Sequence, residues 1–329
     1  MRPFRYATPT TTDEAIHTLA AAPGTARLLA GGTTLVDLMK LDVEQPALLI
    51  DITGIPQLRE IRTDGDTLIF GALVHMSEAA DHPVIKRDYP ILSEALWRGA
   101  SPQLRNMATL GGNLLQRTRC AYFRDTQFPC NKRAPGSGCS AIGGLDRGHA
   151  LLGTSSQCIA TYPGDWAVAL VAMDASIDTL SPRGGRTIPV AELHRQPGDT
   201  PQIENVLAID EMIVRTRVPA SALGRASTYI KIRDRESYAF ALTSAAVALS
   251  MDGNRVRDAR IALGGVATVP WRARQAEQSL VGKTLDDAAA HEAGTLAFTG
   301  AQTSPQNAFR VPLGINAVVQ ALTIAKGRA

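Results

Sequence analysis

Apolar positions along the chain repeat with two different periods, and the changes of period mark out its elements. In residues 10–22, Ile16, Leu19 and Ala20 share one helical face behind Thr12 and Asp13, either of which suits an N-cap. That spacing predicts a helix with His17 on its exposed side. A short apolar strand at 27–30 runs into Gly31-Gly32-Thr33-Thr34 and a second helix from Leu35 to Lys40, and a strand at 47–52 completes a small β-α-β unit. From Gln57 the pattern shortens to strands at 58–62 and 67–72 around the turn Asp64-Gly65-Asp66. His75 closes this pair, where a histidine is most simply structural, and helices are predicted from Ser77 and over 91–99. A helix at 166–173 is followed by strands at 175–180 and 186–190 around Arg183-Gly184-Gly185, a polar loop at 195–200, and a strand at 211–218. Residues 219–224 form a linker. Strands at 227–232, 239–251 and 255–266 and helices at 271–280, 285–298 and 313–325 complete the chain. This last region holds no constellation of titratable groups, and its expected role is packing and interface.

Residues 113–165 break the order. All four cysteines, Cys120, Cys130, Cys139 and Cys158, lie there, among Pro129, Pro135, Gly136, Gly138, Gly143, Gly144 and Gly148. Such turn formers with no apolar period predict irregular backbone. A long loop in a compact chain is usually functional or disordered, unless it is wrapped around a metal or cluster. The spacing C-x9-C-x8-C-x18-C admits disulfides, a structural zinc or an iron-sulfur cluster. A chain of 329 residues needs no disulfide staples, and the short knuckles common in zinc sites are absent. Spacing alone does not choose between zinc and iron.

Charge adds a little. Residues 115–160 carry six basic side chains (Arg117, Arg119, Arg124, Lys132, Arg133, Arg147) against Asp125 and Asp146, a net +4 in a chain of net +3. Cationic groups and the amides of a Gly-rich loop would stabilise an anionic cluster; as solvated surface charges they need no such partner. The chain as a whole, 45% hydrophobic and 20% charged, has the composition of a soluble globular protein of two or three domains. Its charge is too mild to imply nucleic acid. The N-terminal residues show no apolar run, so no signal peptide is expected, and no stretch is long enough to span a membrane. Export would then require a folded ride with a signal-bearing partner.

A strand, two glycines, two hydroxyls and a helix N-terminus make an anion site, because backbone N–H groups can approach a phosphate. A tight strand-to-helix turn would use the same residues, and the run is neither G-x-G-x-x-G nor a Walker A loop. A second glycine pair follows in Ala108-Thr109-Leu110-Gly111-Gly112-Asn113. Together with Ala30-Gly31-Gly32-Thr33-Thr34-Leu35 it resembles the two FAD pyrophosphate loops of the flavoprotein subunit of molybdenum hydroxylases, the xanthine dehydrogenase and carbon monoxide dehydrogenase family. The resemblance runs along almost the whole chain, including Arg233-Asp234-Arg235-Glu236-Ser237. The segments around Cys120, Cys130, Cys139 and Cys158 resemble the FAD subunit of bacterial periplasmic aldehyde oxidoreductases, which carries an additional [4Fe-4S] cluster. Most of the wider family has a short connection there.

The resemblance implies an α+β fold: a two-subdomain FAD-binding domain of the vanillyl-alcohol-oxidase/p-cresol-methylhydroxylase type and a C-terminal α/β domain of the CO dehydrogenase flavoprotein type. The expected boundaries are 1–56, 57–218 with an insertion at 115–160, and 225–329. It assigns Ala30, Gly31, Gly32, Thr33, Thr34 and Leu35 to the first phosphate loop, and Thr109, Gly112 and Asn113 to the second. Asp165 falls near the ribityl chain or ring, Ile213 and Lys231 near the ring, and the four cysteines become cluster ligands. The implied role is electron transfer in a heterotrimeric aldehyde oxidoreductase, from [2Fe-2S] clusters on a small subunit to FAD, beside a molybdenum-cofactor large subunit. The implied compartment is the periplasm by co-export, or the cytoplasm without an exported partner. The alternative is a non-redox interaction module with a zinc-bound loop.

Overall fold

A continuous apolar run, Leu48-Leu49-Ile50, is what a strand buried on both faces requires, and it forms the centre of the first of three sheets. In a computed structural model describing residues 1–221 and 223–329, β1 (Arg5–Ala7) and β2 (Ala26–Leu29) both pair parallel to β3 (Leu48–Asp51). The helix Thr12–Ala20 joins β1 to β2, and the helix Leu35–Lys40 joins β2 to β3. The N-cap of the first helix is Thr11, one position before those expected: its hydroxyl accepts from Glu14 N at 3.2 Å while the Glu14 carboxylate accepts from Thr10 N at 2.8 Å.

The second sheet holds β4 (Ile61–Asp64), β5 (Thr67–Gly71), β6 (Ser176–Ser181), β7 (Gly184–Pro189) and β8 (Met212–Pro219), antiparallel in the order β4-β5-β8-β6-β7. Leu58, expected in a strand, ends a 3-10 turn, Pro56–Leu58, that its leading proline favours. The expected helix at 91–99 is Pro90–Trp97, and a helix not foreseen, Pro83–Asp88, precedes it. In the third sheet β9 (Ser227–Ile232), β10 (Thr243–Asp252), β11 (Arg255–Gly264) and β12 (Trp271–Arg272) are antiparallel in the order β12-β11-β10-β9. Two expectations fail here. The strand predicted from 239 starts only at Thr243, and residues 271–272 are an edge strand, the helix beginning at Arg274.

The helix Asp165–Ala172 is buried at all eight positions and packs against Pro90–Trp97, β10 and β11. It is apolar all round, as a helix in the centre of a protein must be. Its Trp166 meets Phe70 of the second sheet edge-on at 5.5 Å. The core around it runs from Leu68 and Phe70 to Tyr229, Ala246 and Ala262, so the second and third sheets share one interior. Three helices, Arg274–Leu280, Asp287–Ala297 and Arg310–Lys326, share the third sheet's separate apolar core. Among the described residues no helix is long and apolar enough to cross a membrane.

Between Leu115 and Gly164 regular structure is limited to the short helix Ala121–Arg124, an antiparallel bridge between Cys130 and Cys139, and a parallel bridge from Leu152 to Ala267. The loop is better anchored than its sequence implies. Phe123 and Cys130 pack with Leu38 of the Leu35–Lys40 helix, and Leu151 and Leu152 enter the third sheet's core. Arg310, fully buried, donates to the carbonyls of Leu242, Arg147, His149 and Gly265. Burial without a carboxylate partner lowers its pKa to about 10.

Candidate cofactor site

The first glycine loop leaves β2 and enters the Leu35–Lys40 helix within a few residues. Gly32 has φ +69°, a conformation that costs an L side chain about 1–2 kcal/mol. Among the described residues, the backbone N–H groups of Gly31, Gly32, Thr33, Thr34 and Leu35 donate to no group in the fold. All five residues are half-buried, as is Ala30, which packs on the first sheet's core. Successive amides without partners form a cradle that an anion completes. A Cβ at Gly31 would overlap the Met107 carbonyl and lie 3.1 Å from Ala108 Cα. The two glycine loops therefore touch through backbone.

In the second loop the amides are already engaged: Leu110 N with Val74 O and Gly111 N with Ala72 O, both at 2.9 Å, Gly112 N with Thr109 Oγ1 at 3.4 Å, and Asn113 N with Thr109 O at 2.8 Å. What this loop offers is side chains. Asn113 directs Nδ2 at Met76 Sδ (3.4 Å), and its Oδ1 is buried without a partner. Thr109 has used its oxygen as an acceptor and keeps its hydroxyl proton to donate, while Gly112 is exposed and leaves the approach open. The two loops thus supply different chemistry, free N–H groups from one and amide and hydroxyl side chains from the other.

Asp165 and Lys231 meet. Lys231 Nζ lies 2.8 Å from Asp165 Oδ2 and 2.9 Å from Arg98 O, and Tyr229 donates its hydroxyl to Asp165 Oδ1 at 2.6 Å. The Lys231 side chain is 1% exposed. Burial, and then the Asp165 charge, hold the Tyr229 phenol well above its ordinary pKa. The last domain thus does contribute to a cluster of titratable groups, which was not expected of it: β9 brings both Tyr229 and Lys231 to Asp165. Ile213, opposite Thr179 in the second sheet, is buried in the main core with Leu114 and Tyr162 and adds only apolar surface.

The four cysteines are unbridged. Cys130 faces Cys139 across the antiparallel bridge; Cys120 lies within electrostatic reach of Cys130 and Cys158, and Cys158 within reach of Cys139 and Cys130. Among the described residues no three His, Cys, Asp or Glu side chains are close enough to grip a single metal ion. The four cysteines therefore do not form one tetrahedral zinc site. Burial pushes the Cys120 thiol up to about 11. Groups that favour thiolate are at hand: His149 Nε2 at 3.2 Å from Cys120 Sγ, Ala160 N at 3.4 Å from Cys158 Sγ, and the Lys132 charge near Cys158.

Residues 2–221 match the FAD binding domain in molybdopterin dehydrogenase, and residues 228–323 the CO dehydrogenase flavoprotein C-terminal domain. The chain belongs to the FAD-binding subunits of the molybdenum hydroxylases. It is 45% identical to the Escherichia coli aldehyde oxidoreductase FAD-binding subunit PaoB over the whole of both chains. It is 31% identical to the carbon monoxide dehydrogenase medium chain of Hydrogenophaga pseudoflava, over 90% of this chain and 86% of that one. The solved carbon monoxide dehydrogenase of H. pseudoflava superposes with a TM-score of 0.79 at 29% identity, covering 100% of this chain and 99% of its own. The amide row of the first glycine loop and the orphaned Asn113 Oδ1 are hydrogen-bonding groups that a bound FAD would satisfy. Reading by motif missed Asp37, Tyr229 and His149 and gave Arg310 no role. Only the basic excess of residues 115–160 hinted that the cysteine loop would be electrostatically tied to its neighbours.

Proposed function

We propose that the chain is the FAD- and [4Fe-4S]-carrying electron-transfer subunit of a heterotrimeric molybdenum-dependent aldehyde oxidoreductase. The observation that carries this reading is the presence of four unbridged cysteines in one loop whose Asp37-bound arginines adjoin the free amides of the first glycine loop. Its likeness over full length to the E. coli aldehyde oxidoreductase subunit supports the substrate class. Bound FAD supplies the redox chemistry, accepting one or two electrons. Gly31 to Leu35 hold its diphosphate through backbone N–H groups, and Thr109 and Asn113 reach it through side chains past the open Gly112. Asp165, Lys231 and Ile213 border the ribityl chain and ring. Cys120, Cys130, Cys139 and Cys158 are the cluster ligands. Asp165 and Lys231 neutralise each other, so neither is required as an acid or base.

In this reading a molybdenum-cofactor large subunit oxidises the aldehyde, and a small subunit passes electrons through [2Fe-2S] clusters to this chain and on to an external acceptor. The cluster here braces the loop first and relays electrons second. In Cys130→Ser, intact assembly with lost transfer rules out bracing. The compartment is the periplasm when a signal-bearing partner co-exports the assembly, and the cytoplasm otherwise. Mixed anaerobically with an aldehyde, the assembled complex is expected to lose flavin absorbance while the isolated chain keeps it. Bleaching of the isolated chain, or zinc in place of iron and sulfide, overturns the proposal.

A further inference from the structure

The Leu35–Lys40 helix starts at the free amides and ends beneath the cysteines. Its Asp37 carboxylate accepts from Arg124 Nη1 at 2.7 Å and Nη2 at 3.1 Å, and from Arg119 Nη1 at 3.2 Å. Its Leu38 packs on Phe123 and Cys130. Just beyond the helix, Glu44 receives Arg117 Nη1 at 2.5 Å. The cysteine loop is thus pinned to the phosphate-loop helix by ion pairs and by a small apolar contact.

Arg119 and Arg124 stand on either side of Cys120 and bring two positive charges to one carboxylate. Arg124 takes that carboxylate with both Nη atoms, so the excess charge sits on Arg119. Its Nη2 is 3.4 Å from Thr34 Oγ1 in the phosphate loop, the Phe240 ring lies over it at 5.1 Å, and its buried Nε–H has no partner. A shielded guanidinium that touches the phosphate loop with a donor to spare is matched to an anion carrying several acceptors.

We propose that Arg119, supplied by the cysteine loop, is a diphosphate-binding residue for FAD, and that the Asp37–Arg124 pair makes flavin retention depend on an occupied four-cysteine site. The second half rests on the [4Fe-4S] reading; the first does not. With the thiols ligated, Cys120 fixes the backbone from which Arg119 and Arg124 extend. Without ligation, Arg119 is held at Thr34 by the Asp37 ion pairs and the Leu38 contact alone.

The test uses the purified complex, with the FAD dissociation constant read from flavin fluorescence on dilution and with iron and acid-labile sulfide assayed beside it. Arg119→Gln is expected to keep its iron and bind FAD about 10- to 100-fold more weakly, the loss of a hydrogen bond to a charged group. Wild-type complex stripped of iron by chelation is expected to show a similar weakening, reversed by reconstitution with iron and sulfide. Wild-type FAD affinity in iron-replete Arg119→Gln overturns the Arg119 assignment, and wild-type affinity after stripping overturns the coupling. Should Arg119→Gln lose iron as well, Arg119→Lys is expected to keep iron and weaken FAD by a smaller factor, and unchanged affinity there overturns the assignment. A wild-type complex whose iron and sulfide are fully accounted for by its [2Fe-2S] partner defeats the cluster reading and the coupling with it. The Arg119→Gln arm still decides the assignment.

Discussion

Replacing Gly31 with alanine tests the junction of the two glycine loops at its tightest point. The new methyl group would overlap the Met107 carbonyl, approach its carbon to 2.7 Å and come within 3.1 Å of Ala108 Cα. All three atoms are backbone, and the segment they belong to is fixed by Ala108 N donating to Leu104 O at 2.7 Å and Met76 N to Ala108 O at 2.9 Å. No side chain can rotate aside, so the loops must part. Overpacking of this kind costs about 1–3 kcal/mol in the protein without flavin. The larger effect falls on binding, because parting the loops misaligns the row of amides. Losing two hydrogen bonds to a charged diphosphate, at about 1.5–3 kcal/mol each, weakens FAD by roughly 100-fold or more. Gly65→Ala is the control: φ is +55° with nothing within 4 Å, so it costs about 1–2 kcal/mol of backbone strain away from both glycine loops. Thermal melts of the flavin-free protein and FAD titration of both variants separate the terms. Gly31→Ala with wild-type FAD affinity would refute the reasoning.

Three other outcomes follow from the geometry. Lys231→Met leaves the Asp165 carboxylate buried with only the Tyr229 hydroxyl as a side-chain donor, and is expected to cost about 3–5 kcal/mol in urea unfolding. Asp165→Asn combined with it should recover much of that loss, and simple additivity contradicts the pairing. Burial holds the His194 imidazole down to about 4, with Leu114 O accepting from Nε2 at 2.8 Å. The unfolded chain binds that proton near the ordinary value of 6.5, so stability falls as pH drops from 6.5 towards 4, by up to about 3 kcal/mol. His194→Gln should flatten the wild-type decline in melting temperature across that window, and an unchanged slope excludes His194 as its source. Arg310→Met removes the donors that hold the Arg147 and His149 carbonyls, so limited proteolysis should cut within 113–165 at least about tenfold faster; an unchanged rate dismisses Arg310 as the anchor.

Much of the site could be read along the chain because backbone chemistry is local. A glycine pair after a strand and before a helix states its own conformation, and Gly31 and Gly32 lie where the pattern put them. The irregular run between Leu115 and Gly164 was equally legible, since its prolines and glycines exclude long elements. What could not be read depends on distant partners. The helix from Asp165 is apolar on every side, so no period announces which face it packs. Lys231 and Tyr229 reach Asp165 across 66 and 64 residues, and Asp37 meets Arg124 across 87. Pro83–Asp88 was hidden by the short interval between two prolines, and β12 by an apolar start that equally fits the helix behind it.

The account depends most on iron and sulfide among the four thiols beside a bound flavin. Iron, zinc and acid-labile sulfide per FAD, measured on the wild-type complex and on Cys130→Ser side by side, test it most directly, because clusters on partner subunits cancel in the difference. The expected result is a loss of about four iron and about four sulfide per FAD in the variant, with zinc absent from both. Equal iron in the two preparations, or zinc that disappears with Cys130, would contradict it.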